Sequence, residues 1–242
     1  MNKFYIIANW KMNPKSEEEA KNLIKGIIPV IESVNNEKVN IVFLPPFTWL
    51  KTSKDILGQN SELFELGAQN IFWQNEGAYT GEISPSMAKD LGCKYILIGH
   101  SERKIYLGEN REMIKKKLEI ILKSELIPIL CLHSKMPKDV VTELSFLVGN
   151  IDKNKLNQII FVYEPTEAIS TQGGEAPSKN KILRIKEAFE QVFGQDKKLL
   201  YGGSVNAQNI KELTANIGLD GALIGAKSLN NRDFSDIIRQ FI

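Results

Sequence analysis

Short apolar runs alternate with longer amphipathic segments along the whole chain. Eight of the short runs predict β-strands because they are rich in Ile, Val, Leu and Tyr. Several of them lack a polar face, which is typical of strands buried on both sides of a parallel sheet. Their first residues lie about 31 residues apart on average, the length of one strand–helix unit. The predicted strands span residues 4–8, 39–44, 64–68, 95–98, 127–131, 159–163, 199–201 and 221–224.

The segments between these strands have the period of an α-helix. In residues 17–31 apolar side chains recur every three or four positions, and Ser16 stands where an N-cap would precede three glutamates. Residues 113–122 and 182–193 repeat the pattern. Because no linker rich in Pro, Gly or Ser divides the chain, we predict one α/β domain, a (β/α)8 barrel over residues 1–242. An open doubly wound sheet is the alternative, but it would leave two edges to cover, and no G-x-G-x-x-G motif follows the first strand.

The charge and the cysteine content argue against several classes of protein. The chain has 31 basic and 29 acidic residues and a net charge of +2, which gives no reason to propose a nucleic acid or an anionic membrane as partner. Two cysteines, Cys93 and Cys131, cannot form a disulfide framework, and no metal-ligand spacing includes them. The first ten residues do not resemble a signal peptide, and no apolar run approaches the length of a membrane span. We therefore expect a cytoplasmic protein without a bound metal.

Polar residues follow directly on three of the predicted strands. Asn9 and Lys11 follow the first strand, His100 follows the fourth, and Glu164 follows the sixth. Because a (β/α)8 barrel builds its active site at the C-terminal ends of its strands, these side chains are expected to converge. A carboxylate at the end of an apolar strand is partly desolvated, which suits Glu164 to act as a general base. A salt-bridged structural glutamate is the alternative interpretation.

His100 and Lys11 carry the other expected chemistry. Residues 101–103 have the composition of a helix start, where backbone N–H groups oppose a positive charge on the imidazole of His100. A neutral imidazole can donate a hydrogen bond to a carbonyl oxygen, and Asn9 could donate to the same oxygen. Lys11, with Glu102 as a possible orienting partner, would neutralise an anionic substrate. A buried structural histidine and an ordinary surface lysine remain the alternatives.

Two glycine-containing loops and two long connections complete the predicted site. The loops after the seventh and eighth strands, with Ser204, Gly225 and Ala226, could present backbone N–H groups to a phosphate. Residues 165–177 are predicted to close over the site as a lid. Residues 69–87 form a long connection with several aromatic side chains, which should pack either on its own barrel or in a partner subunit.

Taken together, these segments resemble the triosephosphate isomerase family over essentially the whole chain. The matching stretches are Asn9-Trp10-Lys11, Gly77-Ala78-Tyr79-Thr80-Gly81-Glu82-Ile83-Ser84, Ile98-Gly99-His100-Ser101-Glu102-Arg103, Tyr163-Glu164-Pro165, Tyr201-Gly202-Gly203-Ser204-Val205 and Asp220-Gly221. The resemblance implies a cofactor-free isomerase of glycolysis and gluconeogenesis that interconverts D-glyceraldehyde 3-phosphate and dihydroxyacetone phosphate through an enediolate.

The resemblance also implies a role for individual residues. Glu164 would be the base, His100 the neutral electrophile, and Lys11 with Asn9 the pair that holds the phosphate and the developing enediolate. Glu102 would be a carboxylate that lies near Lys11. The phosphate would be bound by Ser170, Ser204, Gly225 and Ala226. Residues 69–87 would dock into a second copy of the chain, with Thr80 reaching the other active site and Glu82 in the same loop. We therefore expect a homodimer.

The chain departs from the family pattern in three places. The lid lacks the usual hinge tryptophan, which is Glu167 here, and two of its glycines. The loop after the eighth strand has Ala226 and Lys227 where the family has glycine and alanine. The family's Cys-x-Gly-Glu appears as Cys131-Leu132-His133-Ser134. We therefore expect an active enzyme with altered lid kinetics or phosphate affinity, and we expect His133 to be a loop residue without catalytic duty.

Two other functions compete with this one. A non-catalytic paralogue that binds a sugar phosphate has the altered lid as its only support. An enzyme acting on a larger phosphosugar would need a different base and a wider mouth, and nothing in the sequence points to either.

Overall fold

A computed structural model of the chain describes residues 3–34, 37–58, 64–134, 136–165 and 178–242. Eight parallel strands close into a barrel in which each strand pairs with the next along the chain and β8 pairs with β1. The predicted (β/α)8 barrel is confirmed. The strands are β1 (Phe4–Asn9), β2 (Val39–Leu44), β3 (Glu65–Ala68), β4 (Cys93–Ile98), β5 (Ile127–Ser134), β6 (Ile160–Pro165), β7 (Lys198–Tyr201) and β8 (Gly221–Ile224).

Helices connect the strands on the outside of the barrel. In the described ranges they are α1 (Glu17–Ile31), α2 (Phe47–Leu57), α3 (Pro85–Asp90), α4 (Ser101–Leu107), α5 (Arg111–Lys123), α6 (Pro137–Val148), α7 (Lys153–Leu156), α8 (Lys179–Phe193), α9 (Ile210–Leu213) and α10 (Asn231–Ile238). Short 3-10 turns occupy Ala215–Ile217, Ala226–Leu229 and Arg239–Phe241.

Side-chain caps fix where the helices begin. The Ser16 hydroxyl accepts the Glu19 N–H, so the predicted start of α1 is confirmed. Asn110 accepts the Met113 N–H in the same way, and α5 therefore begins at Arg111, two residues before the predicted start. α8 also begins earlier than predicted, because its first turn is polar and exposed and adds nothing to the apolar stripe.

The strands are apolar on both faces because they separate two layers of core. Alternate side chains point into the barrel or out toward the helices. In β5, Ile129 and Cys131 belong to the inner layer, whereas Leu130 and Leu132 pack against the helices. Each fully buried aliphatic side chain of this kind stabilises the fold by about 1.5–3 kcal/mol.

The two cysteines lie on opposite sides of the sheet. Cys93 of β4 belongs to the outer layer and Cys131 of β5 to the inner layer, and both are buried and free. Burial raises the pKa of Cys93 to about 12 and raises that of Cys131 well above its usual value. Both thiols are therefore protonated at neutral pH and behave as small apolar side chains.

Polar side chains fill the N-terminal end of the barrel. Asn40 donates to Glu65 at 2.8 Å, Lys94 donates to the same carboxylate at 2.6 Å, and the Tyr95 hydroxyl also hydrogen-bonds it. Burial favours the protonated form of Glu65, but these hydrogen bonds outweigh it, and its pKa is lowered. An ionised Glu65 therefore ties β2, β3 and β4 together at this end.

Gly221 allows β8 to close against β1, and its replacement by alanine is expected to destabilise the barrel strongly. Its φ is +156°, and a Cβ there would lie 2.1 Å from the Tyr5 carbonyl oxygen. We expect Gly221→Ala to lower the free energy of unfolding by about 3 kcal/mol or more, measured by denaturant titration.

The matched control is Gly108→Ala. Gly108 also has a positive φ, +65°, but a Cβ there would meet nothing within 4 Å. Only backbone strain of about 1 kcal/mol is expected. Equal losses in the two variants would contradict the assignment of Gly221 to strand closure.

Within the described ranges, none of the helices combines the length and the apolar character that a bilayer crossing requires.

Candidate active site

A cavity of about 220 Å³ opens at the C-terminal ends of the strands. It lies at the mouth of the barrel, where the polar residues that follow the strands meet. Side chains and backbone from five of the eight strand ends line it: Asn9, Lys11, His100, Ser101, Glu164, Gly202, Gly203, Ser204, Val205, Asn206, Leu223, Gly225, Ala226 and Lys227.

Glu164 lies near the end of β6 with its carboxylate inside the mouth. It is 3% exposed, and its Oε2 accepts the backbone N–H of Ser101 at 2.9 Å. Its Oε1 lies 3.1 Å from Nε2 of His100. A Cβ on Gly202 would lie 3.1 Å from Cγ of Glu164, so the glycine directly after β7 leaves the space that this side chain fills.

The hydrogen bond at Nδ1 of His100 assigns its tautomer. His100 caps α4, and its Nδ1 accepts the backbone N–H of Glu102 at 3.3 Å. A ring nitrogen that accepts a hydrogen bond carries no proton, so the proton of the neutral imidazole lies on Nε2. Nε2 lies 3.1 Å from Oε1 of Glu164, and both residues line the cavity. The expected helix start at Ser101 is confirmed.

Lys11 is held in an unusual backbone conformation at the mouth. Its φ is +53°, in the left-handed region that side-chain-bearing residues rarely adopt. The Asn9 side chain accepts the Lys11 N–H at 3.1 Å, and Gln69 donates to the Lys11 carbonyl at 2.9 Å. Nζ of Lys11 forms an ion pair with Glu102 at 2.6 Å. These contacts hold the ammonium group beside the cavity.

The loops after β7 and β8 form another part of the cavity wall, and a Cβ on Gly225 would lie 3.3 Å from Cε of Lys11. Asn209 donates to the Ser204 carbonyl at 3.1 Å and accepts the Asn206 N–H at 2.8 Å, which fixes the first loop. Ala226 begins the 3-10 turn after Gly225, and it is not among the described non-glycine residues with a positive φ. An alanine is therefore accommodated without backbone strain, and its N–H remains.

Comparisons with known proteins agree on one family. Residues 4–241 match the profile of the family described as "Triosephosphate isomerase". A triosephosphate isomerase of Dictyoglomus turgidum is 42% identical to this chain, covering 99% of the chain and 100% of the relative. Those of Dictyoglomus thermophilum and Caldanaerobacter subterraneus subsp. tengcongensis are 39% and 37% identical, with coverage of 96% or more on both sides.

The chain belongs to the triosephosphate isomerase family. The structure brings seven of the predicted site residues together around one cavity: Asn9, Lys11, His100, Glu164, Ser204, Gly225 and Ala226. Glu102 lies directly behind Lys11, as predicted from the resemblance to triosephosphate isomerases. Thr80 and Glu82 are exposed at the tip of residues 69–87 and do not line this cavity. Ser170 and residues 166–177 of the predicted lid lie outside the described residues.

Several contacts of the site were not anticipated from the sequence. They are the hydrogen bond from the Ser101 N–H to Glu164, the hydrogen bond from the Gln69 side chain to Lys11, and the space that Gly202 leaves for Glu164. Gln69 follows a predicted strand directly, and this position was the only signal for it.

The prediction that His133 is a loop residue was wrong. It lies within β5, in register with Glu164 of β6, because strand pairing continues beyond the apolar run to Ser134. Burial lowers the pKa of His133, and the charge of Glu164 opposes that shift only in part. The imidazole is therefore neutral at pH 7.

The described part of the chain holds no group of three or more His, Cys, Asp or Glu side chains arranged to bind a metal ion.

Proposed function

We propose that this chain interconverts D-glyceraldehyde 3-phosphate and dihydroxyacetone phosphate, with Glu164, His100, Lys11 and Asn9 as its catalytic residues. The observation that carries the proposal is the pairing of a buried carboxylate with an N–H donor. Oε1 of Glu164 lies 3.1 Å from Nε2 of His100, at the edge of a cavity that also receives Lys11.

The first step moves a proton from carbon to Glu164. The carboxylate leaves the Ser101 N–H and removes the proton from the substrate carbon beside the carbonyl group. The electron pair of that C–H bond forms the carbon–carbon double bond of the enediolate, and the carbonyl oxygen takes up the negative charge. Glu164 then returns the proton to the neighbouring carbon, and a proton moves between the two oxygens.

The other residues stabilise the charge on the oxygens. The N–H at Nε2 of His100 and the side chain of Asn9 donate to the oxygen that becomes negative, and the Lys11 ammonium group lies beside them. Ser204, Gly225, Ala226 and Ser170 are proposed to bind the phosphate. The reaction is redox-neutral, and these donors meet the charge of the intermediate, so the proposed mechanism uses no cofactor.

A coupled assay with the two triose phosphates tests this function. Turnover by the unmodified protein is expected, and its absence would favour the non-catalytic sugar-phosphate binder, which no observation on the described residues supports. A phosphate-bearing mimic of the enediolate should inhibit the enzyme more weakly than it inhibits family members with the usual lid glycines. Inhibition as tight as theirs would refute altered lid kinetics or phosphate affinity.

The loop of residues 69–87 supports a homodimer. Its base packs on its own barrel, where Ile71 is buried and the rings of Phe72 and Trp73 stack. Its tip, residues 74–82, is exposed throughout and carries Tyr79. We propose that this tip inserts into a second copy of the chain, with Thr80 beside the partner's active site.

A bulky charge at the tip is expected to separate the subunits. Thr80→Arg should shift the protein from dimer to monomer and lower its activity, because a buried unpaired guanidinium group opposes docking. Sedimentation velocity measures the shift. Thr142→Arg, on the exposed face of α6, is the control and should remain dimeric. An unmodified protein that sediments as a monomer would end this proposal.

We also propose that the enzyme works in the cytoplasm. Two buried thiols without a disulfide agree with a reducing compartment.

A further inference from the structure

A second lysine besides Lys11 is among the residues that line the cavity. Lys227 is the second residue of the 3-10 turn after β8 and is one of the residues that line the cavity. Its Nζ lies 2.8 Å from Oδ2 of Asp233 in the first turn of α10. Both side chains are almost half exposed, 49% and 42%, so water screens the pair and each partner can move.

The charges around the cavity leave a phosphate group poorly compensated. Among the described residues that line it, the lysines are Lys11 and Lys227 and the carboxylate is Glu164. Lys11 is already paired with Glu102, and Lys227 with Asp233. A phosphate monoester brings about −1.5 to −2 charges at neutral pH. A dianion therefore enters a mouth in which each of the two ammonium groups already has a carboxylate partner.

Of the two pairs, the one at Lys227 is easier to open. Lys11 and Glu102 are each less than a quarter exposed, and the backbone of Lys11 is fixed by Asn9 and Gln69. Lys227 has a flexible, half-exposed stem beside the loops with Ser204, Gly225 and Ala226. An incoming phosphate can thus compete with Asp233 for the ammonium group of Lys227 at little cost in free energy.

We propose that Lys227 is a phosphate-binding residue of this enzyme, and that Asp233 holds its ammonium group in the resting state and releases it to the substrate phosphate. The inference rests on the proposed function for the identity of the substrate, but it concerns affinity for any phosphate monoester. It assigns a function to Lys227, one of the expected departures from the family pattern.

Titration calorimetry with glycerol 3-phosphate, a phosphate monoester that does not react, tests the inference. Lys227→Ala should raise the dissociation constant about fivefold, the effect of losing one partly exposed ion pair. In the coupled assay it should raise KM by a similar factor and change kcat much less. An unchanged dissociation constant would overturn the proposal.

The control is Lys51→Ala. Lys51 is also exposed and also paired with an aspartate, Asp55 at 2.6 Å, but it does not line the cavity. Lys51→Ala removes the same charge as Lys227→Ala. An equal loss of affinity in both variants would assign the effect to the overall charge and would overturn the proposed contact between Lys227 and the phosphate.

A double-mutant cycle tests the role of Asp233. Asp233→Asn alone should lower the dissociation constant about twofold or more, because it frees Lys227. In the Lys227→Ala background the same change should have no effect. If Asp233→Asn tightens binding equally in both backgrounds, the aspartate acts through long-range repulsion of the phosphate. The proposal that Lys227 moves from Asp233 to the phosphate would then be wrong.

These measurements separate the two proposals. Binding of glycerol 3-phosphate does not depend on turnover, so the role of Lys227 is judged even if the unmodified protein fails the isomerase assay. Conversely, turnover with an unchanged Lys227→Ala variant refutes this inference and leaves the isomerase proposal standing.

Discussion

Replacing Glu164 with glutamine is expected to lower kcat about 10³-fold, the range that a positioned general base contributes. The amide has the same size and can still accept the Ser101 N–H, but it cannot take a proton from carbon. The coupled triose-phosphate assay measures the loss. Affinity for glycerol 3-phosphate should change far less, because the base acts on a carbon atom and not on the phosphate.

The control for this variant is Glu143→Gln. Glu143 of α6 is also largely buried and paired, with Lys104 at 2.5 Å, but it does not line the cavity. Its loss should leave kcat within about twofold of the unmodified enzyme, since it removes one partly screened ion pair. If Glu164→Gln retained full activity in a folded protein, another group would have to be the base.

Replacing Lys11 with methionine is expected to reduce kcat/KM about 10³-fold, because it removes a preorganised charge from the oxygens that become negative. Methionine keeps the length of the stem, so the loss reports the charge and not the packing. It also leaves Glu102 without its ion-pair partner beside the cavity, which makes the mouth more repulsive to an anion. Steady-state kinetics should show both a lower kcat and a higher KM.

Lys15→Met is the matched control for the charge. Lys15 lies four residues further along the same connection, is exposed and does not line the cavity. It should keep kcat/KM within about twofold of the unmodified enzyme, because distant exposed charges are screened. Equal losses in the two variants would mean that Lys11 has no specific contact with the substrate.

The barrel was predictable because its strands and helices have different periods. A strand between two apolar layers has no polar face, and residues 39–44 and 221–224 were predicted with the bounds that the structure has. Strands with polar residues at their C-terminal ends were predicted to end too early. In β5 and β6 the last residues, such as His133 and Glu164, are polar, yet their backbones continue to pair. Toward the mouth of the barrel, the apolar residues of such a strand end before its backbone hydrogen bonds to the neighbouring strand do.

The residue types of the candidate site were predictable for a related reason. Parallel strands bring their C-terminal ends to one face, so polar residues at those positions must meet. The individual contacts were not. The positive φ of Lys11 and the hydrogen bond from Ser101 to Glu164 depend on residues far apart in the chain. The ion pair between Lys227 and Asp233 depends on how the 3-10 turn approaches α10, which no local pattern records.

The placement of the two cysteines gives the protein a pair of built-in chemical reporters. Neither thiol is accessible or ionised in the folded chain, so an alkylating reagent reacts only when the structure opens. Labelling at Cys93 follows the detachment of the surrounding helices from the sheet, whereas labelling at Cys131 follows the exposure of the barrel interior. A comparison of the two labelling rates shows whether the helices detach from the sheet before the strands of the barrel separate.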